Sequence, residues 1–244
     1  MLVTVISVAC NSEKTIKRTI ESVLNQTYDK IEYIIVDGDS VDKTVEIAES
    51  YREQFENKGY ILKIVSEPDK GMYDALNKGA KLASGEIVGQ INTDDWYEKD
   101  AVEKMVDFYK KENYDVAWGD LRIIRHSGDI IKRAKIGKLW TTTGWCHPSM
   151  FSKREILLKY PYPLINMYDD FDYITRVYKD NNKVLTINEL ISNFSLGGMS
   201  TKNTFKDAMN RVDITYSIYK RHGMSKFYYF HRLLFETAKF ILDR

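Results

Sequence analysis

Apolar positions in the first hundred residues fall into short unbroken runs, separated by stretches with helical spacing. Residues 2–9, LVTVISVA, read as a strand covered on both faces. Asn11 is placed to cap a helix whose apolar positions Ile16, Ile20, Val23 and Leu24 share one face. Residues 31–36 make a second buried run, ending in Asp37-Gly38-Asp39-Ser40. A helix carrying Val41, Val45, Ala48, Tyr51 and Phe55 follows. Strands at 60–65 and 86–91, with a helix over 73–82 between them, continue the alternation. This order predicts right-handed βαβ units and an α/β fold, a Rossmann-like, mainly parallel central sheet flanked by helices.

The rhythm changes after a helix near 100–112. Short strand-like segments follow at 115–118, 121–125 and 130–134, with a hairpin turn at 126–129. A helix is predicted around 170–178, and two long helical patterns run from about 204 to the end, a C-terminal helical extension. The expectation is a nucleotide-binding sheet in the first half and a mixed second half that completes a cleft.

Composition narrows the classes. The chain has 244 residues, 43% of them hydrophobic and 13% aromatic, which excludes general disorder and suits one large domain with an appended element. Lys+Arg 36 against Asp+Glu 35 gives a formal charge of +1, which argues against a dedicated nucleic-acid binder. Cys10 and Cys146 form neither a disulfide framework nor a metal cluster and read as buried thiols of a reducing compartment. No run approaches the roughly 18 apolar residues of a membrane span. The first residues lack the basic region and cleavage site of a secretory signal, so a cytoplasmic location is expected.

Ligands of an open parallel sheet bind beyond the carboxyl ends of its strands. Three of the four predicted strands here end in Asn11, in Asp37 and Asp39, and in Asn92-Thr93-Asp94-Asp95. Carboxylates at that edge repel a phosphate unless a hard divalent cation reverses the sign. Asp94-Asp95 is therefore a candidate metal and diphosphate site, with an acidic helix-capping turn as the alternative. Asp169-Asp170-Phe171-Asp172 heads a predicted helix. The helix dipole alone favours acids there, but such a group can also take a proton from a hydroxyl. His147 in GWCHPS is either a hydrogen-bonded loop histidine or a ligand contact. Its neighbour Trp145 is either core or an open stacking face.

The ordered set VTVISVACN from Val3, SVLNQT from Ser22, IIVDGDSVD from Ile34, DKGMYDALNKG from Asp69, SGE from Ser84 and NTDDW from Asn92 resembles the opening of a family 2 glycosyltransferase with the GT-A fold. His147-Pro148-Ser149 with Phe151, Asp170-Phe171-Asp172 with Arg176, and Gly197-Gly198-Met199-Ser200 extend the resemblance over residues 2–200. It implies a catalytic domain at 1–200 and a helical extension at 201–244. The implied reaction is metal-dependent, with Mn²⁺ or Mg²⁺, and inverting. It moves a sugar from a nucleotide-diphosphate donor, expected to be UDP-linked, to a hydroxyl of a glycan or lipid-linked acceptor, as in surface polysaccharide synthesis.

Carried over residue by residue, Val8 and Ala9 lie against the base, Asp37 or Asp39 faces base and ribose, and Asp69 opens a donor-site stretch. Asp94 contacts the ribose or shares the metal, Asp95 ligates it, and Asp170 is the general base, with Asp169 a rival neighbour. His147, Trp145 and Asp172 fall on the acceptor or diphosphate side, Asp172 more as an orienting group through Arg176. Lys70 is a phosphate contact or a solvated lysine, Tyr73 and Asn77 are packing groups, and the glycines at 197 and 198 form a closing loop or a simple turn. Two other functions share such a sheet: a sugar nucleotidyltransferase, disfavoured by the glycine-free turn after Val8, and a sugar-nucleotide-binding module without turnover.

The tail has its own character. Residues 202–244 hold nine Lys/Arg and four Asp/Glu, a net +5 that leaves −4 elsewhere. Residues 225–240 interleave Phe227, Phe230, Leu234 and other apolar groups with Lys226, His231, Arg232 and Lys239. Such a helix lies on an anionic membrane at the inner face of the plasma membrane, makes a dimer contact, or packs on the catalytic domain.

Overall fold

A computed structural model of the chain describes residues 1–125, 127–138, 140–196 and 204–242. The first half follows the apolar rhythm closely. Strands β1 (Val3–Ala9), β2 (Ile31–Asp37), β3 (Ile61–Ser66) and β4 (Ile87–Gln90) alternate with helices α1 (Ile16–Leu24), α2 (Thr44–Glu49), α3 (Arg52–Asn57) and α4 (Met72–Leu82). All four strands pair in parallel, in the order β3-β2-β1-β4.

Period-two alternation sorts β1 between two cores. Ile6 and Val8 face a layer containing Leu76 of α4. Val3 and Val5 face another containing Ile16 and Ile20 of α1. Helix α4 lies tightly on β1 because Gly79 has no side chain; a Cβ there would come 2.6 Å from Ile6 Cγ2.

The second half adds antiparallel strands, so the whole sheet is mixed. Beyond β5 (Trp96–Tyr97) and α5 (Ala101–Glu112) come β6 (Val116–Ile124), β7 (Ile130–Lys132), β8 (Met150–Lys153), α6 (Arg154–Lys159), α7 (Asp169–Lys179) and β9 (Val184–Ser195). β8 enters antiparallel between β4 and β6, β9 runs parallel to β6, and β5 and β7 pair antiparallel with β9 and β6. The two strands expected at 115–118 and 121–125 are one, with register shifts around Asp120.

Four other expectations are corrected. Asn11 does not cap α1, whose N-cap is Thr15. In a left-handed conformation (φ 49°), Asn11 ties the β1 turn to the β2 turn, its Oδ1 accepting from Val41 N–H and its own N–H reaching Ser40 Oγ. The single helix after β2 is two, α2 and α3, and Val41 precedes them 94% exposed. Cys10 is exposed, while Cys146 is buried as expected.

Helices α8 (Phe205–Arg221) and α9 (Phe227–Leu242) form the C-terminal extension and pack on the sheet domain over α7. Tyr219 meets Phe171 edge-on at 5.6 Å, and Arg221 and His222 reach Asp172. Arg232 donates to Thr142 Oγ1 at 2.6 Å. The Thr204–Asp207 capping box starts α8.

Candidate active site

The parallel strands deliver their polar turns to one edge of the sheet. At the end of β2, Asp37 is fully buried. Its carboxylate accepts from Ser40 N–H and Oγ and from Ser66 Oγ, so it is spent on holding the turn. Asp39, two residues on, is exposed in a left-handed conformation (φ 60°). Asp69 packs over Gly38, where a Cβ would come 2.6 Å from Asp69 Oδ2. That glycine is what lets the third-strand turn close on the second. Asp69 Oδ1 accepts Gly71 N–H at 2.7 Å, which orders the entry to α4. The carbonyls of Val8 and Ala9 accept from Thr93 Oγ1 and Gly38 N–H, so β1 contributes a floor to this edge. Lys70 is exposed, and Asn77 exchanges two hydrogen bonds with the Tyr162 backbone, as a packing group does.

After β4 the chain turns through Asn92-Thr93-Asp94-Asp95. Thr19 of α1 pins this turn by donating to the Asp95 carbonyl at 2.6 Å. The Asp95 side chain is fully buried. Its Oδ1 accepts Ser195 N–H at 2.9 Å, delivered by the pairing of β5 with β9. Its Oδ2 is buried with no partner among the described residues. Burial raises the Asp95 carboxyl well above the usual carboxylate range, and the nearby Asp94 charge adds to this; Ser195 and Arg18 only partly oppose it. Burial likewise raises Asp94. Arg18 stacks over the Trp96 ring at 3.7 Å and donates to the Asp94 carbonyl at 2.7 Å.

An unpaired buried carboxylate costs several kcal/mol, and a divalent cation would remove that cost. The donor set therefore fits a hard metal ion. Among the described residues no group of three or more His, Cys, Asp or Glu gathers around one point. Asp94 and Asp95 would thus supply the protein's share, with oxygens of a diphosphate and water supplying the rest.

A second polar group converges from four segments. Asp170, in the first turn of α7, is half-buried. Its Oδ1 accepts from Tyr73 Oη at 3.0 Å and its Oδ2 from Trp145 Nε1 at 2.8 Å. The three acids around Phe171 point in different directions. Asp169 is buried and accepts the N–H groups of Ile165 and Asn166, closing the preceding loop. Asp172 pairs with Arg176, as an orienting group does, and also with Arg221 and His222, which ties α7 to α8.

Trp145 is not an open stacking face. It is 7% exposed and edge-on to Trp118 at 4.9 Å. His147 Nε2 lies 3.2 Å from Gln90 Oε1, and Tyr162 Oη donates to the same oxygen. Burial lowers the His147 pKa, opposed by Asp170, so a neutral imidazole sits beside the carboxylate at pH 7.

Several members of these clusters carried no signal in the sequence. Arg18 lies on an ordinary amphipathic helix, Gln90 and Tyr162 look like core, and Ser195 belongs to a strand that was not expected. Tyr73 lies inside the quoted DKGMYDALNKG stretch, and only its hydroxyl contact distinguishes it from packing. Gly197-Gly198-Met199-Ser200 lies outside the described residues.

Comparison with known proteins agrees with this architecture. Escherichia coli WfgD, described as a UDP-Glc:alpha-D-GlcNAc-diphosphoundecaprenol beta-1,3-glucosyltransferase, is 27% identical over 220 residues, 87% of this chain and 85% of that protein. S. aureus TarS 1-349 in complex with UDP-GlcNAc superposes at a TM-score of 0.74 with 19% identity, covering 99% of this chain and 72% of that one. The chain spans 39% of a longer TarS structure. The mannosyltransferase PcManGT from Pyrobaculum calidifontis, in complex with GDP-Man and Mn²⁺, gives a TM-score of 0.70 at 17% identity, covering 98% and 69%. The profile of Glycosyl transferase family 2 matches residues 4–178. With that match, on a sheet of this order and shape, the chain belongs to glycosyl transferase family 2 and has the GT-A fold.

Proposed function

We propose that this glycosyltransferase is inverting, uses a UDP-linked sugar and requires Mn²⁺ or Mg²⁺. The observation that carries the reading is the contrast between two carboxylates, one after β4 and one in the first turn of α7. Asp95 keeps a buried oxygen with no partner, and Asp170 has both oxygens hydrogen-bonded and is half-exposed. The nucleoside lies along the ends of β1 to β3, over Val8 and Ala9. Asp39 and Asp69 face it, because Asp37 is enclosed by its own turn. Asp94 and Asp95 hold the cation, which when bound neutralises charge on the departing diphosphate.

Asp170 acts on the acceptor. A sugar hydroxyl is a weak nucleophile, and its proton passes to the Asp170 carboxylate as its oxygen bonds to the anomeric carbon. The bond from that carbon to the diphosphate breaks in the same displacement, so the configuration inverts. Neutral His147, beside Asp170, offers one hydrogen bond to the acceptor or the leaving group.

The acceptor is a glycan or lipid-linked sugar, used in surface polysaccharide synthesis on the cytoplasmic side of the plasma membrane. WfgD, whose name includes a diphosphoundecaprenol acceptor, supports this. Residues 1–200 form the catalytic domain and 201–244 the extension. No described helix is long and apolar enough to cross a membrane. On α9, Phe227, Phe230 and Leu234 are exposed at successive helical turns, Leu234 by 73%, between Lys226 and Lys239. That face rests on anionic lipid. Incubation with a panel of nucleotide sugars and an acceptor tests the reading: nucleoside diphosphate and an inverted glycoside are expected only with metal present. Undiminished turnover in EDTA contradicts it.

A further inference from the structure

We propose that Tyr73 and Trp145 are positioning residues that hold the Asp170 carboxylate in one orientation for proton transfer. This rests on Asp170 being the base. Two aromatic side chains from distant segments converge on it: Trp145 aims its single polar hydrogen at it, and Tyr73 shares its hydroxyl hydrogen between it and the Met167 carbonyl. Tyr73 Oη lies 3.0 Å from Oδ1, and Trp145 Nε1 lies 2.8 Å from Oδ2. If these rings served packing alone, phenylalanine would do in both places. One donor on each oxygen fixes the carboxylate plane and leaves a lone pair on each oxygen for an acceptor hydroxyl.

Both donors are themselves braced. Tyr73 packs against Tyr162 with ring centroids 5.1 Å apart, and its hydroxyl is also 3.1 Å from the Met167 carbonyl. Burial, followed by the Asp170 charge, raises the Tyr73 phenol well above its ordinary value, so it stays a donor. Trp145 rests edge-on against Trp118, whose indole N–H is anchored on the Gly144 carbonyl at 2.7 Å, and Lys132 donates to the Trp145 carbonyl. One turn earlier, Thr142 receives Arg232 of α9. Glu236 holds Arg232 at 2.7 Å and Arg211 at 2.8 Å. The C-terminal helices thus brace the segment that carries one of the two donors.

The other titratable groups around Asp170 are His147, Tyr162, Tyr168, Asp169 and Asp172. Burial pushes His147 down, Tyr162 and Tyr168 up, and Asp169 above its ordinary value. Asp169 and Asp172 are engaged elsewhere, as described.

The test compares Tyr73→Phe, Trp145→Phe and the double variant with the parent enzyme. It measures kcat, acceptor KM, donor affinity and thermal stability. Each single variant is expected to lose about tenfold in kcat with donor affinity and acceptor KM unchanged. A packing role would lower thermal stability and leave kcat of the folded enzyme near the parent value. Tyr73→Phe keeps its ring in place, so it gives the readout even if Trp145→Phe fails to fold. Single variants with kcat within about twofold of the parent overturn the proposal. Asp170→Asn separates the two ideas. Full activity in it removes the base assignment, whereas an inactive Asp170→Asn beside an unimpaired Tyr73→Phe removes only the positioning role.

Discussion

Asp95, just after β4, and Asp170, in the first turn of α7, have opposite surroundings. Asp95 is fully buried with one oxygen lacking any partner among the described residues, and its pKa is raised by burial and by Asp94. Asp170 is partly open, with each oxygen meeting a donor. Burying a carboxyl oxygen with no partner destabilises the free protein, and a cation bound there would offset that cost. A carboxylate already satisfied by two hydrogen bonds needs no such ligand and has lone pairs left for a proton. The comparison teaches that one acid is built to be completed and the other is complete.

The largest effect should come from Asp170. Asp170→Asn is expected to cut transfer by about 10²–10⁴-fold while donor binding, measured calorimetrically, stays near the parent value. A smaller loss, or lost donor binding, would break the comparison from that side. Asp95→Asn should also cripple turnover, but through the cation. In the parent, Mn²⁺ with UDP at about 100 times its dissociation constant stabilises the fold by about 2.7 kcal/mol, and the variant should lose most of that thermal shift.

Asp172 sharpens the contrast within α7. Asp172→Ala removes the acceptor for Arg176, Arg221 and His222 and should cost about 1–3 kcal/mol in urea unfolding, with kcat changed much less than in Asp170→Asn. The smallest effect is expected on α9. Leu234→Ser with Phe230→Ser should leave turnover of a water-soluble acceptor unchanged and weaken sedimentation with anionic vesicles relative to neutral ones.

How much of this the sequence shows depends on burial. β1 and β2 are buried along their whole length, so their continuous apolar runs locate them within a residue or so. β9 escapes because it alternates, with Thr186, Asn188 and Glu189 interrupting the apolar pattern. Gly119 reads as a break between two strands. In the fold it is a packing requirement inside one strand, because a Cβ there would come 2.3 Å from Ile191 Cγ1.

The candidate site divides in the same way. Asp94 and Asp95 follow a strand end, and strand ends are legible. Asp169, Asp170 and Asp172 share one helical turn, and the 100° between successive residues sends them to the preceding loop, to Tyr73 and Trp145, and to α8 respectively. Residue type does not separate three aspartates; only their partners do. Trp145 is legible as an aromatic near the site, but its role depends on which way one N–H points.

The division of labour is tested most directly by Mn²⁺ binding in the presence of UDP, followed by electron paramagnetic resonance in two variants side by side. Asp170→Asn should bind the ion as the parent does, and Asp95→Asn should leave it free in solution. Equal binding by Asp95→Asn and the parent would contradict the account.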